Sequence, residues 1–275
     1  MSRLVIHYRP SLFEEELSAA LDAGFICTPN FTDLQKGDVV ISRYTVLPFH
    51  EDVYREYENI GVIVANDIKA HRFCADIFRW YPFFQKITPK TWNQYDLAKL
   101  PENRSYVLKG ETNSKKAYWN THMFAENKKE AINVFSRLVD DGLVGNQQIA
   151  IREYVPLKLF MYGINGMPVT KEFRYFFLGD QVVSRGFYWQ NYVDELLPDN
   201  YALPEEKYSL KLFIDHIAET MAEHTDFSCV DIAQTQSGDW IVVEVNDGSM
   251  AGLSCIDPKE FYRNLYELSV ERFNL

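Results

Sequence analysis

The chain has 275 residues, 47% of them apolar. That is enough for one large domain or two to three small lobes around a real core, which excludes general disorder. Its 28 Lys and Arg against 39 Asp and Glu leave a formal charge of -11, which excludes a nucleic-acid backbone binder, since that role needs many cationic contacts.

Leu4-Val5-Ile6 reads as a strand, and Ser11 with Glu14 forms a capping-box pattern ahead of an apolar stripe at Phe13, Leu17, Ala20 and Leu21. The acids Glu14, Glu15 and Glu16 suit a first helical turn, and Gly24 suits a left-handed helix end. Val39-Val40-Ile41 is a second strand, Glu51 to Glu58 a polar aromatic helix, and Gly61-Val62-Ile63-Val64 a third strand. Strands apolar on both faces and separated by helices point to a small parallel α/β lobe. Breaker residues from Ile87 to Thr91 and at Pro101 place a boundary near residue 95.

Beyond it, Ser105 to Leu108 is a strand. Asn127 and Glu130 cap a helix with an expected apolar face of Ile132, Phe135, Leu138 and Val139, closed by Gly142. Strands follow at Ile149–Ile151, Glu172–Leu178 and Val182–Tyr188, then a helix bearing Leu210, Phe213, Ile214, Ile217 and Met221. A strand pair comes next, and Asp257-Pro258 starts the last helix.

No apolar run approaches the ~20 residues of a membrane span, and no signal-type apolar segment opens the chain, so a soluble cytoplasmic protein without membrane or nucleic-acid partners is expected. The scattered Cys27, Cys74, Cys229 and Cys255 read as reduced, mostly core residues. No two of His7, His50, His71, His122, His216 and His224 have useful ligand spacing. Tyr188, Trp189 and Tyr192 suit either sheet cover or substrate stacking.

Two hairpins stand out. Ser237-Gly238 is a turn signal between β-prone runs, and the register it implies sets Asp231 opposite Glu244, with Asn246 on the same face. Facing carboxylates repel. Either Mg²⁺ lies between them, which takes few carboxylates and leaves positions for phosphates, or one carboxylate turns to solvent. Around Gly179-Asp180 the same arithmetic sets Arg174 against Arg185. Facing arginines either share an anion or point apart on a solvated face.

Asp231, then Glu244-Val245-Asn246 with Gly248 and Gly252, resembles the metal-binding end of the ATP-grasp superfamily. The resemblance covers nearly the whole chain and implies an α/β N-terminal lobe at residues 1–95, then an α+β ATP-grasp fold at 96–275, with a small lobe at about 96–150 and a large one at about 151–275. It implies Asp231, Glu244 and Asn246 as ligands of Mg²⁺, with Mn²⁺ as an alternative. Lys109 and Lys116 become phosphate contacts, Arg152, Glu153 and Val155 the base-reading hinge, and Arg174 with Arg185 the catalytic cations.

The activity implied is ATP-dependent joining of a carboxylate to an amine, small-molecule or peptide, through an acylphosphate; a regulatory ATP-binding module or a phosphotransferase is the alternative. Oligomeric state stays open, a homodimer among the options. Three departures from the family pattern stand beside this. The loop Glu111–Lys116 has no glycine after Gly110, Arg152 stands where the hinge often carries Glu or Gln, and Leu157-Lys158-Leu159 offers no acid for the ribose.

Overall fold

The computed structural model describes residues 2–44, 51–163, 166–189 and 208–275. Its first layer is the expected parallel sheet: β1 (Leu4–Tyr8), β2 (Ile26–Thr28), β3 (Val39–Arg43) and β4 (Ile63–Val64) in the order β2-β1-β3-β4. Helix α1 (Pro10–Ala23) packs with Leu4 and Ile6, and α2 (Glu51–Ile60) packs its Tyr54 and Tyr57 with Val5 and Val40. Both faces are thus covered, which is why these strands are apolar throughout. Ser11 lies within α1 rather than at its cap. Arg9 is the N-cap and Pro10 the first helical residue, an arrangement that leaves proline's missing N–H where no partner is needed. Gly24 ends the helix at φ 107°, as expected. Two short helices, α3 (Ile68–Ala75) and α4 (Ile77–Phe84), lead out of this layer.

The second sheet is antiparallel, with β5 (Thr91–Asn93), β6 (Tyr106–Gly110), β7 (Phe124–Ala125) and β8 (Ile149–Glu153) ordered β5-β8-β6-β7. β5 lies ahead of residue 95 in sequence yet pairs with β8. Helix α5 (Lys128–Val139) is capped by Asn127, whose Oδ1 accepts from the Glu130 amide at 3.0 Å. Its buried face is Ala131, Val134 and Leu138, while Ile132 and Val139 point outward. The small Ala131 permits close approach to the sheet, a role that bulk hydrophobicity alone does not reveal. Asp140, not Gly142, is the C-cap.

β9 (Leu159–Tyr162) and β10 (Pro168–Thr170) form a hairpin the sequence reading lacked. The third sheet holds β11 (Glu172–Leu178), β12 (Gln181–Phe187), β13 (Phe227–Gln234) and β14 (Trp240–Asp247), ordered β12-β11-β13-β14 and antiparallel. Phe173, Tyr175, Phe177, Val230 and Ile232 share a core with α3, α4 and α6 (Tyr208–Ala222). Phe176, Leu178, Phe227 and Cys229 instead join a core with α7 (Pro258–Phe273), α1 and β1.

Both hairpin registers carry a bulge. In β14, Ile232 pairs with Val242 but Asp231 with Glu244, so Val243 is the extra residue. The turn spans residues 235–239 rather than two residues, and the bulge restores the expected Asp231–Glu244 pair. In β12 the bulge has the opposite effect. Phe177 pairs with Val182 but Phe176 with Ser184, so Arg174 faces Gly186 and Arg185 faces Tyr175. The expected Arg174–Arg185 pair is therefore wrong, because one extra residue sends the second side chain to the other face.

Candidate functional site

Along one face of the third sheet the apolar positions Phe176, Leu178 and Cys229 give way to Arg174, Asp231 and Glu244. The period of two keeps them on one side of the sheet. Separate cations meet the two facing carboxylates. Arg174 donates through Nε and Nη2 to the two oxygens of fully buried Asp231, each at 2.8 Å, and through Nη1 to Gly252 O at 2.7 Å. Lys109, arriving on β6, donates from Nζ to Glu244 Oε1, and Lys116 Nζ lies 3.9 Å from Oε2. Burial alone would push the Glu244 carboxyl up; Lys109 and Lys116 outweigh it and hold it below the usual range. Burial draws the Lys109 ammonium down, with Glu244 opposing.

Two cavities meet here. One of about 350 Å³ is lined by Trp119, Phe124, Tyr154 and Leu159 together with Lys109 and Glu172. The other, of about 470 Å³, is lined by Arg174, Tyr188 and Asn246 and by the segment Met250–Gly252. Lys116 and Glu244 line both, so an aromatic chamber joins a polar one at a lysine–glutamate contact.

Lys109, Lys116, Arg174, Glu244 and Asn246 thus converge as the sequence suggests, while Asp231 stands behind Arg174 and, among the described residues, lines neither cavity. Arg152, Glu153 and Val155 line the aromatic chamber. The Arg152 guanidinium is drawn sideways, donating to Thr88 Oγ1 at 2.7 Å and Val243 O at 2.5 Å, and burial pulls it down to about 10. Glu153 pairs with Arg104 at 3.0 Å, so neither hinge side chain is directed at a base. Arg185 lies over Tyr175 on the opposite face, its guanidinium 5.9 Å from the ring centre.

One contributor escapes the sequence reading. Glu172 is buried, lines the aromatic chamber, and has its carboxyl pushed up to about 8 by burial, with Lys116 opposing. An acid opening a strand that is apolar and aromatic apart from Arg174, two residues on, is the available signal. The buried Tyr188 ring carries Lys116 at 4.2 Å and Arg174 at 4.8 Å, so it stacks protein cations rather than serving only as sheet cover. Tyr192 and His50 lie outside the described residues.

Lys109, Lys116, Arg152 and Arg174 here meet Asp231 and Glu244, with Glu172 held toward its neutral form. Among the described residues the balance is cationic inside a chain of charge -11. That is the local basic pocket an acidic protein needs to hold a small polyanion.

Among the described residues no three His, Cys, Asp or Glu side chains form a metal cluster. The expected set instead combines two carboxylates with an amide. Asn246 Nδ2 is buried without a hydrogen-bond partner among the described residues, and its side chain lines the polar cavity beside Glu244. Two carboxylates and the Asn246 amide oxygen are the hard oxygen donors that Mg²⁺ takes, with both Asp231 oxygens engaged by Arg174 in this arrangement.

The model of an ATP-grasp domain family, the third family of its clade, matches residues 99–265. No curated protein matches the sequence. Among solved structures, an ATP-grasp RimK domain protein from Sphaerobacter thermophilus is 15% identical with a TM-score of 0.64, covering 97% of this chain and 98% of its own. A D-alanine–D-alanine ligase from Bacillus anthracis is 13% identical, TM-score 0.60, over 98% and 97%. The ATP-grasp ligase PsnB, solved with a minimal precursor, Mg and ADP, is 10% identical, TM-score 0.58, over 99% and 98%. At these identities the likeness is one of fold.

Proposed function

We propose, because this chain belongs to the ATP-grasp family, that it is an ATP-dependent ligase joining a carboxylate to an amine through an acylphosphate. The joint between the two cavities supports this reading, since it would set a nucleotide's phosphates against a polar acceptor site. The base would lie among Phe124, Tyr154 and the Glu153–Val155 hinge, the sugar near Glu172, and the phosphates on Lys109 and Lys116, which would exchange Glu244 for phosphate oxygens. Mg²⁺, or Mn²⁺ in its place, held by Glu244 and Asn246, and by Asp231 once Arg174 turns from it to the substrate, would supply charge neutralisation on those phosphates.

A carboxylate oxygen attacks the γ-phosphorus; a P–O bond forms to the acid as the bond to ADP breaks. The amine then attacks the acyl carbon, the C–N bond forms, phosphate leaves with the C–O electron pair, and the amine proton passes to solvent. Arg174 would steady the negative charge of both stages from the polar cavity. Positioning and charge carry this chemistry without a protein nucleophile.

The protein incubated with Mg-ATP and a panel of amino acids, peptides and amines is expected to release ADP that depends on the acid, with sustained turnover and the mass of an amide when the amine is also present. Lys109→Ala and Glu244→Ala should abolish it. A phosphorylated acid without amide would make the protein a phosphotransferase. Tight nucleotide binding with no ADP above the Glu244→Ala background would make it a binding module.

A further inference from the structure

The strand bearing Glu244 and Asn246 ends at Asp247, a carboxylate with no exposure at all. It accepts from Asn66 Nδ2 at 2.7 Å, from the Ser249 amide at 2.8 Å and from His71 Nδ1 at 3.0 Å. Asn66 and His71 belong to the β4–α3 segment of the N-terminal region. Asn66 also clamps the start of β13: its Oδ1 accepts from Thr225 Oγ1 at 2.6 Å and from the Phe227 amide at 2.9 Å, and its Nδ2 donates to Phe227 O at 2.5 Å. The two strands that carry Asp231, Glu244 and Asn246 are therefore tied together from outside the sheet.

Asn246 is the contrasting neighbour, its Nδ2 buried and, among the described residues, unpartnered. No hydrogen bond from that nitrogen holds the amide among the described residues, and the next residue along the strand is the one that is locked. A buried strand end could be filled as stably by an apolar side chain, so packing does not account for a carboxylate bonded on three sides. Resting on the reading of Glu244 and Asn246 as metal ligands, we propose that Asp247 is a positioning residue through which Asn66 and His71 fix the Asn246 amide for a divalent cation. Groups that orient metal ligands in this way typically govern metal affinity by about 10–100-fold.

The test is ADP binding by titration calorimetry with and without Mg²⁺, thermal melts confirming folding. In Asp247→Asn and His71→Leu, metal-free ADP affinity should stay within about twofold of wild type while the gain conferred by Mg²⁺ falls about tenfold or more. His71→Asn, whose amide can donate in place of Nδ1, should restore most of that gain. If Asp247→Asn does not fold, the His71 pair decides. Folded variants that keep the full Mg²⁺ gain overturn the inference alone. A wild-type protein whose ADP affinity ignores Mg²⁺, or a Glu244→Ala variant that retains the gain, overturns the metal reading and the inference with it.

Discussion

Removing the Arg174 side chain would leave Asp231, which has no exposure, without the guanidinium fork that neutralises it. Breaking one half of such a buried pair costs about 3–5 kcal/mol, whereas replacing both halves with apolar residues is often neutral. Denaturant melts are expected to show Arg174→Ala destabilised by that amount and Arg174→Met/Asp231→Leu by clearly less. Glu172 carries the opposite liability. Burial raises its carboxyl from 4.5 to about 8, so between those values the unfolded chain releases a proton that the fold retains. Stability gained below about 4.5 is thus lost as pH rises through about 8, and Glu172→Gln should flatten that slope, with melts at the two ends of the window as the measurement.

At the scale of elements, the close approach of chain to sheet at Gly186 makes a further prediction. A Cβ there would sit 2.7 Å from Ile256 Cγ1 and 3.0 Å from the Ile256 amide, and Gly186 pairs with Arg174. Gly186→Ala is expected to destabilise by about 1–3 kcal/mol and to weaken ADP binding in calorimetry by shifting the chain that runs from Ile256 back to Met250–Gly252 at the polar cavity.

The elements also show where the sequence was readable. Alternation and turn residues found β11 to β14, and the Asp231–Glu244 pair emerged because a bulge at Val243 compensated for a longer turn. The bulge in β12 had no such compensation, and nothing in Val182-Val183-Ser184 distinguishes an extra residue from a paired one. Glu172 does not stand out in the sequence because its meaning depends on which wall it faces, a property of the fold and not of its strand. The buried face of α5 departs from the expected one because Ala131 is small, and small residues are where helices come closest to a sheet.

For the molecule as a whole, the core that joins α7 to β1, α1 and the third sheet crosses the expected boundary near residue 95. The N-terminal region therefore completes a core rather than standing beside one. A single coincident transition by calorimetry and circular dichroism is expected, and a fragment of residues 96–275 should not fold alone; two separated transitions would contradict this.

The bulge at Val243 has a reach beyond register. It releases a carbonyl that Arg152 of the hinge strand takes up, while Thr88 Oγ1 donates to Val242 O at 2.7 Å. The turn at 235–239 is thereby insulated from the carboxylates: a residue added there is absorbed before Glu244 feels it. A single insertion between Trp240 and Glu244 has no such refuge, and would turn Glu244 away from Asp231.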